Sequence, residues 1–400
     1  MLSSAAGPRP RALVIVTEVC LDGGIQRFNR TFINACDQLG VDCHVLSLGD
    51  PEHARVRWSA PTSARIETFN RDKLRFALRV GQQIIRGTWQ FIVIGHINLL
   101  ELAVAARRLK SGARTFLVAH GVDAWTGIEG RRRRALRSVD VILCVSSYTR
   151  DRVRAQAPEV PTERFRIFPN ALSETWSEQV NRAVLERPAG LPERYLLAVT
   201  RIDRGDRYKG LISVLETLSM LEDQTVHFVI AGRGNDIDFL KRAARHFGIA
   251  ERVHLIGGVT DAELAELYRH CLAFVLPSGK EGFGIVYLEA MHFEACIVAA
   301  REKGVLDVIR DEETGLLVTF GDVVGLKRAL DRLIGDAGLR QRLSAAARST
   351  VTADGPFTIA AYTARLATAL GLAEPARLPR ATEAESTAVA LPAGTGESCA

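Results

Sequence analysis

Leu272-Ala-Phe-Val-Leu-Pro277 runs straight into Ser278-Gly-Lys-Glu-Gly-Phe-Gly-Ile-Val-Tyr-Leu-Glu-Ala-Met291. The first piece is an apolar run of the length of a buried strand. Gly282 and Gly284 mark a turn, and the residues from Ile285 onward read as a helix. Strand, glycine loop and helix in that order form the unit of a parallel α/β sheet. The same order turns backbone N–H groups and a helix N-terminus towards any bound anion. Glu281 falls in the loop. Glu289 falls about five residues into the helix, roughly 8 Å further along at about 1.5 Å per residue. A phosphate flanked by two groups of hydroxyls matches that layout, as in a molecule built of ribose, diphosphate and hexose. The neighbours of Glu289 at helical spacing are Ile285, His292 and Phe293, and a carboxylate in such company needs a partner or a ligand. Glu281 also has a plainer reading, as a loop acid that the helix dipole favours.

The same alternation runs in both directions from this stretch. Strands are expected at Ala12–Val16, Cys43–Leu48, Phe91–Gly95, Thr115–Ala119, Val139–Val145 and Phe165–Phe168. In the second half they recur at Tyr195–Thr200, Val226–Ala231, Val253–Ile256, Leu272–Pro277, Ile297–Ala300 and Leu316–Val318. Amphipathic segments lie between, among them Ile25–Leu39, Lys73–Ile85, Leu99–Lys110, Arg131–Arg137 and Tyr148–Arg154. This pattern predicts two parallel-sheet α/β domains. The polar stretch Ser173–Pro192 reads as their linker. Residues 374–400, rich in Ala, Pro, Thr, Gly and Glu without periodicity, read as a disordered tail.

Bulk properties narrow the field. A chain of 400 residues with 47% hydrophobic content supplies two full cores. Seven cysteines without a C-x-x-C pair argue against a disulfide framework, and a reducing cytosol fits best. No apolar run reaches the roughly 18 residues of a membrane span, and Met1–Pro10 lacks the apolar region of a signal peptide. The net charge of +6 is uneven. Residues 1–180 hold 26 Arg and Lys against 17 Asp and Glu, a net of +9, whereas residues 181–400 are net −3. The basic half includes Arg131-Arg-Arg-Arg134. With no nucleic-acid-binding signature beside the charge, an anionic membrane surface suits it better than nucleic acid, a solvated basic face being the plainer alternative.

In open parallel sheets ligands bind beyond the carboxyl ends of the strands. The conspicuous residues all stand there: Gly23-Gly24, His96, His120-Gly121, Arg201 and Glu281. Gly23-Gly24 permits close backbone approach to an anion at a helix start, or simply a tight turn. Arg201 and Lys209 bracket a polar loop and suit a diphosphate leaving group, although Arg204 and Arg207 show that part of this charge is solvated. His120 is the foremost acid/base or hydrogen-bonding candidate among the histidines by position. Gly232-Arg-Gly234 lacks the third glycine of a dinucleotide fingerprint. No His/Cys cluster has metal-ligand spacing, so no metal is expected.

These residues resemble a known family. Pro277-Ser-Gly-Lys-Glu-Gly-Phe-Gly-Ile-Val-Tyr-Leu-Glu-Ala-Met291 is similar to the E-x7-E signature of retaining glycosyltransferases of family four, which have the GT-B fold. The resemblance extends from about Arg11 to Leu372 through Gly23-Gly24, His120-Gly121, Val145-Ser146, Pro169-Asn170, Arg201 with Lys209-Gly210, Ala231-Gly232 and Asp311-Glu-Glu-Thr-Gly-Leu-Leu-Val318. It implies two Rossmann-like domains facing across a cleft. Residues 1–180 would hold the acceptor, residues 190–355 the nucleotide-sugar donor, and a helix near 357–370 would pack back on the first domain. By the same resemblance Glu281 contacts the donor sugar and Glu289 the ribose. Gly282, Phe283 and Gly284 offer loop contacts. Arg201 and Lys209 neutralise the departing diphosphate, Gly23 and Gly24 approach it from the first domain, and His120 lies near the reacting carbon.

The implied activity is transfer of a sugar, with retention and without a metal or cofactor, from a UDP- or GDP-sugar co-substrate to a sugar or lipid-linked acceptor. Surface polysaccharide or glycolipid synthesis is the expected setting, in the cytoplasm and peripheral to the inner face of the plasma membrane. The alternatives are a soluble-acceptor transferase of the sucrose- or glycogen-synthase type and a nucleotide-sugar-binding protein without turnover. The chain departs from the family pattern where Glu294 and Cys296 replace a glycine and a proline after Met291. It departs again at Asp307, where Glu is usual, at Ala171 after Asn170, and in the longer loop between Arg201 and Lys209.

Overall fold

The computed structural model describes residues 9–21, 23–51, 60–109, 112–172, 190–352 and 354–372. Most of the expected linker and the whole of the expected tail lie outside these residues.

The chain builds two separate parallel sheets. Strands β1 (Arg11–Val16), β2 (Asp42–Ser47), β3 (Ala64–Thr68), β4 (Phe91–Ile94), β5 (Arg114–Ala119), β6 (Val141–Cys144) and β7 (Phe165–Ile167) form the first, in the order β3-β2-β1-β4-β5-β6-β7. Strands β8 (Tyr195–Val199), β9 (His227–Ala231), β10 (Val253–Gly257), β11 (Ala273–Leu276), β12 (Ile297–Ala300) and β13 (Leu316–Val318) form the second, in the order β10-β9-β8-β11-β12-β13. Every named pairing is parallel. Both orders reverse direction once, between β1 and β4 and between β8 and β11. Loops leaving the two strands of a reversal diverge, so each reversal opens a crevice at the carboxyl edge.

Strands β4, β6, β11 and β12 are apolar and buried along their whole length because both faces are covered. Leu13 and Ile15 of β1 point into one core with Ile92, Ile94 and Leu117. Ala12, Val14 and Val16 point into another, which continues into the second domain. The edge strand β3 was not expected from sequence. Its residues Ala-Arg-Ile-Glu-Thr are mostly half-buried, so the apolar signal of an interior strand is missing.

The helices that matter for the site are α1 (Gly24–Gln38), α2 (Lys73–Arg86), α3 (Leu102–Arg108), α4 (Gly130–Leu136) and α5 (Ser147–Gln156) in the first half. The second half adds α6 (Leu211–Met220), α7 (Ile237–His246), α8 (Asp261–His270), α9 (Ile285–His292), α10 (Val323–Gly335), α11 (Ala337–Val351) and α12 (Ile359–Leu370). The expected helix Leu99–Lys110 starts later, because a 3-10 turn at Ile97–Leu99 comes first, with His96 Nδ1 accepting from the Asn98 N–H at 3.1 Å. Helix α12 lies against α1. Thr363 donates to Gln38 at 2.9 Å, and Arg114 donates to the Leu370 carbonyl at 3.2 Å. Tyr362 of α12 meets Phe28 and Phe168 edge-on at 6.1 and 4.5 Å between ring centres. The six described cysteines are free. No described helix is long and apolar enough to cross a membrane.

Candidate functional site

The two crevices face each other, and the predicted residues line both. Glycine makes the close approach possible. A Cβ on Gly121, which follows β5 at φ +135°, would lie 2.6 Å from Gly282 Cα. A Cβ on Gly282 would lie 2.4 Å from the His120 carbonyl oxygen, and one on Gly304 would lie 2.1 Å from the Gly282 carbonyl oxygen. No side chain fits at these points without displacing backbone, so the two domains touch through bare main chain.

The loop that carries Glu281 is held rigid. Gly279 N–H donates to the Tyr208 carbonyl at 2.8 Å, and Lys303 Nζ donates to the Gly279 carbonyl at 2.7 Å. Gly304 N–H donates to the Glu281 carbonyl at 3.2 Å. Below the loop the buried Tyr287 hydroxyl donates to the Leu276 carbonyl at 2.8 Å. Phe283 is buried and meets Phe357 edge-on, so it braces the loop from the core side. Gly284, at φ +87°, starts α9 without a side-chain cap and without an acid in the first turn. Gly23 does the same for α1. A Cβ on Gly24 would lie 3.6 Å from Ile285 Cγ2, so two uncapped helix N-termini meet across the cleft. Their free N–H groups and their dipoles favour an anion at this meeting point.

Charged side chains surround it. Lys209 Nζ donates to Glu281 Oε2 at 2.7 Å, with both side chains only 15% exposed. Gly210 places the lysine: at φ +78° it packs so tightly that a Cβ would lie 2.3 Å from the Pro277 carbonyl oxygen. Arg201 does not join this pair. Its side chain is 74% exposed and reaches Asp206 at 3.2 Å. Asp206 is itself buried and accepts from the Tyr208 hydroxyl at 2.8 Å. The two cations expected to act together therefore stand in different settings, one locked to a carboxylate and one projecting into solvent.

Glu289 is buried at 2% exposure and makes the longest-range polar contact of the site. It accepts from Arg27 Nη1 of α1 at 2.5 Å and from the Tyr268 hydroxyl at 3.2 Å. Arg27 also reaches Asp261 at 2.7 Å. Burial raises the Glu289 carboxyl above its ordinary value, and the Arg27 charge opposes that rise. Arg27 and Tyr268 were not picked out from sequence. Arg27 stands 262 positions from Glu289, and its only sequence cue is its place in the first turn of the helix opened by Gly23-Gly24.

On the first-domain side His120 is half-buried. Its Nε2 donates to the Gly95 carbonyl at 2.8 Å, which leaves Nδ1 as the acceptor, and its ring meets Phe28 edge-on at 4.8 Å. Burial pushes its pKa down to about 4, so the imidazole is neutral at neutral pH. His96 lies beside it, 6.0 Å between ring centres. His96 Nε2 stands 3.3 Å from Asp123 Oδ2, a buried oxygen with no hydrogen-bond partner among the described residues. A further bridge joins the domains where the family pattern is broken. Asp307 accepts from Ser147 Oγ at 2.7 Å and from the Ser147 N–H at the start of α5. No group of three or more metal-ligating side chains exists among the described residues.

Comparison with known proteins gives a consistent result. Residues 184–350 match the model of glycosyl transferases group 1, and residues 22–175 match the model of glycosyltransferase family 4. One relative is a GDP-mannose-dependent alpha-(1-6)-phosphatidylinositol monomannoside mannosyltransferase of Mycobacterium tuberculosis. It is 28% identical over 64% of this chain and 69% of its own length. Another is the lipopolysaccharide core biosynthesis glycosyltransferase LpsE of Rhizobium meliloti, 29% identical over 57% of this chain, which spans 63% of that relative. Among solved structures, Anabaena Alr3699/HepE in complex with UDP and glucose superposes with a TM-score of 0.71. It covers 90% of this chain and all of its own at 15% identity, a likeness of fold.

Proposed function

The chain belongs to the glycosyltransferases of group 1 and family 4, and on that footing we propose that it moves a sugar, with retention, from a nucleotide-diphosphate sugar to a hydroxyl acceptor. The observation that carries the reading is the meeting of two uncapped helix N-termini beside the Lys209–Glu281 pair. That arrangement suits a diphosphate with a sugar at one end and a ribose at the other. The solved structure of Alr3699/HepE with UDP and glucose supports a donor of this class, and a UDP- or GDP-sugar is the donor proposed here.

In this reading the diphosphate lies between Gly23-Gly24 and the loop Gly282-Phe283-Gly284. Glu281 accepts hydrogen bonds from the transferred sugar, and Glu289 accepts them from the ribose. The barrier is the breaking of the anomeric C–O bond, during which negative charge grows on the leaving phosphate oxygen. Lys209 stands close enough to Glu281 to serve that oxygen, and the exposed Arg201 can swing onto it. The acceptor hydroxyl attacks from the face the leaving group departs, and the phosphate takes its proton. No carboxylate is assigned as a covalent nucleophile. His120 is neutral and offers the reacting sugar a lone pair rather than a charge. No metal or cofactor takes part in the scheme.

The names of the two relatives support an acceptor in glycolipid or surface-polysaccharide synthesis, and a site on the cytoplasmic face of a membrane is part of the same proposal. Thermal-shift measurement against UDP-, GDP- and ADP-sugars should give a selective rise for one base, followed by transfer with an α-anomer in giving an α-anomer out, read by NMR. Lys209→Ala should cut turnover by roughly 100-fold, the order of one lost charge-stabilising contact at about 2.7–4 kcal/mol, with turnover compared well below the melting temperature of each protein. Near-normal turnover in that variant removes Lys209 from the chemistry. Binding without hydrolysis or transfer would instead establish a nucleotide-sugar-binding protein.

A further inference from the structure

Helix α2 carries a surface that donor chemistry leaves unused. Leu74, Leu78 and Ile85 are 73%, 68% and 65% exposed, the largest values among the exposed large hydrophobics of the described residues. At roughly 100° per residue the three fall within an arc of about 40°. Phe76, Val80 and Ile84 occupy the opposite side and are buried in the first-domain core. The helix is therefore apolar on two faces, and only one is covered. Gly81 lies within the outer stripe, and a Cβ there would meet nothing within 4 Å, so the stripe is flat and open.

Cations border this stripe. Arg75 and Arg86 run along one side, and Lys73 is the first residue of the helix, turned away from the stripe; all three are exposed. Arg71 precedes the helix, and Arg65, 70% exposed, projects from the adjoining edge strand β3, where it pairs with Glu67 at 3.2 Å. The acid of this segment, Asp72, is engaged in capping the helix through the Arg75 N–H at 3.0 Å. Glu67 is likewise engaged, by Arg79 and His44. Charge complementarity selects the occupant. A second copy packed through a two-fold axis would set this basic rim against its own image. An anionic bilayer answers both parts at once, with acyl chains for the leucines and phosphates for the arginines. Helix α2 also begins at the carboxyl edge of the first sheet, the edge that carries His96 and His120.

We propose that this face of α2 docks on an anionic lipid surface, with Leu74, Leu78 and Ile85 at the headgroup boundary and Arg75 and Arg86 at the phosphates. The inference deepens the membrane-facing part of the proposed function and rests on it. The test is flotation of the full chain with vesicles of phosphatidylcholine alone or with about a third phosphatidylglycerol. Wild type should float with the anionic vesicles only. The exposed triple variant Leu74→Ser/Leu78→Ser/Ile85→Ser should lose at least tenfold in partitioning. Each of Arg75→Gln and Arg86→Gln should lose about fivefold, the equivalent of about 1 kcal/mol per basic residue near such a surface.

Equal flotation with neutral and anionic vesicles, or unchanged flotation of the triple variant, overturns the proposal. So does a change from dimer to monomer by light scattering in a triple variant that still floats, which would mark a seam between copies. Nucleotide-sugar thermal shifts on the same proteins separate the two claims. A shift retained without flotation sinks the docking surface alone, and flotation without any nucleotide-sugar shift sinks the donor reading alone.

Discussion

Glu289 shows how a single residue acquires its setting. A carboxylate at 2% exposure is costly to leave unpaired, and its partner Arg27 comes from the other domain. The pair thus ties donor-side and acceptor-side elements together at the place proposed for the ribose. His120 is tuned by the same force, burial, in the opposite sense for charge. Its folded pKa of about 4 lies below the value near 6.5 that the unfolded chain would show. The unfolded state therefore takes up the proton first as pH falls. Stability from this group is complete above about pH 6.5 and is lost progressively down to about pH 4. His96, His44, His227, His254 and His292 are also lowered and add to the slope. Urea midpoints measured between pH 7 and 4 should fall with pH, and His120→Asn should flatten the curve. An identical slope in wild type and variant contradicts the assignment.

At the scale of an element, the turn between α9 and β12 explains one departure from the family pattern. Glu294 sits at φ +58°, in the left-handed region that glycine occupies without strain. Holding a residue with a Cβ there costs about 1–2 kcal/mol. Glycine gives back about 0.4–1 kcal/mol of that through the greater freedom of the unfolded chain. The exposed ion pair of Glu294 with Arg348, at 2.8 Å, offsets little of the remainder. Glu294→Gly should therefore leave the melting temperature unchanged or raise it by about 1–3 °C, checked by calorimetry. A marked fall would show that the Arg348 pair matters more than the backbone. Element boundaries were legible where the apolar period was clean, as in β5, β11 and β12. They were not legible in β3, whose edge position leaves charged residues in the strand.

Across the whole molecule, the described groups that bridge the cleft include the main-chain contact at Gly121 and Gly282, Arg27 on Glu289 and Asp261, and Asp307 on the start of α5. Asp307 is half-buried, and the loss of water around it raises its carboxyl, while the Ser147 bonds lower it. Hydrogen bonds to a charged group contribute about 1.5–3 kcal/mol each. Losing them should shift an open–closed equilibrium by at least tenfold. Asp307→Ala should enlarge the radius of gyration of the ligand-free chain in small-angle scattering, and saturating nucleotide sugar should reverse the change. An unchanged radius would place the clasp elsewhere.

The amino-acid sequence by itself determined the two α/β domains, the strand ends that carry Gly23-Gly24, His120, Arg201 and Glu281, and the family. It could do so because strand periodicity and glycine turns are local, set within a few residues of one another. Only the tertiary structure decided which of those groups meet. It locked Lys209 to Glu281, left Arg201 in solvent beside Asp206, drew Arg27 onto Glu289 and set Ser147 on Asp307. These partners lie far apart along the chain, and pairing between distant side chains follows from how the two sheets pack, which no local pattern encodes.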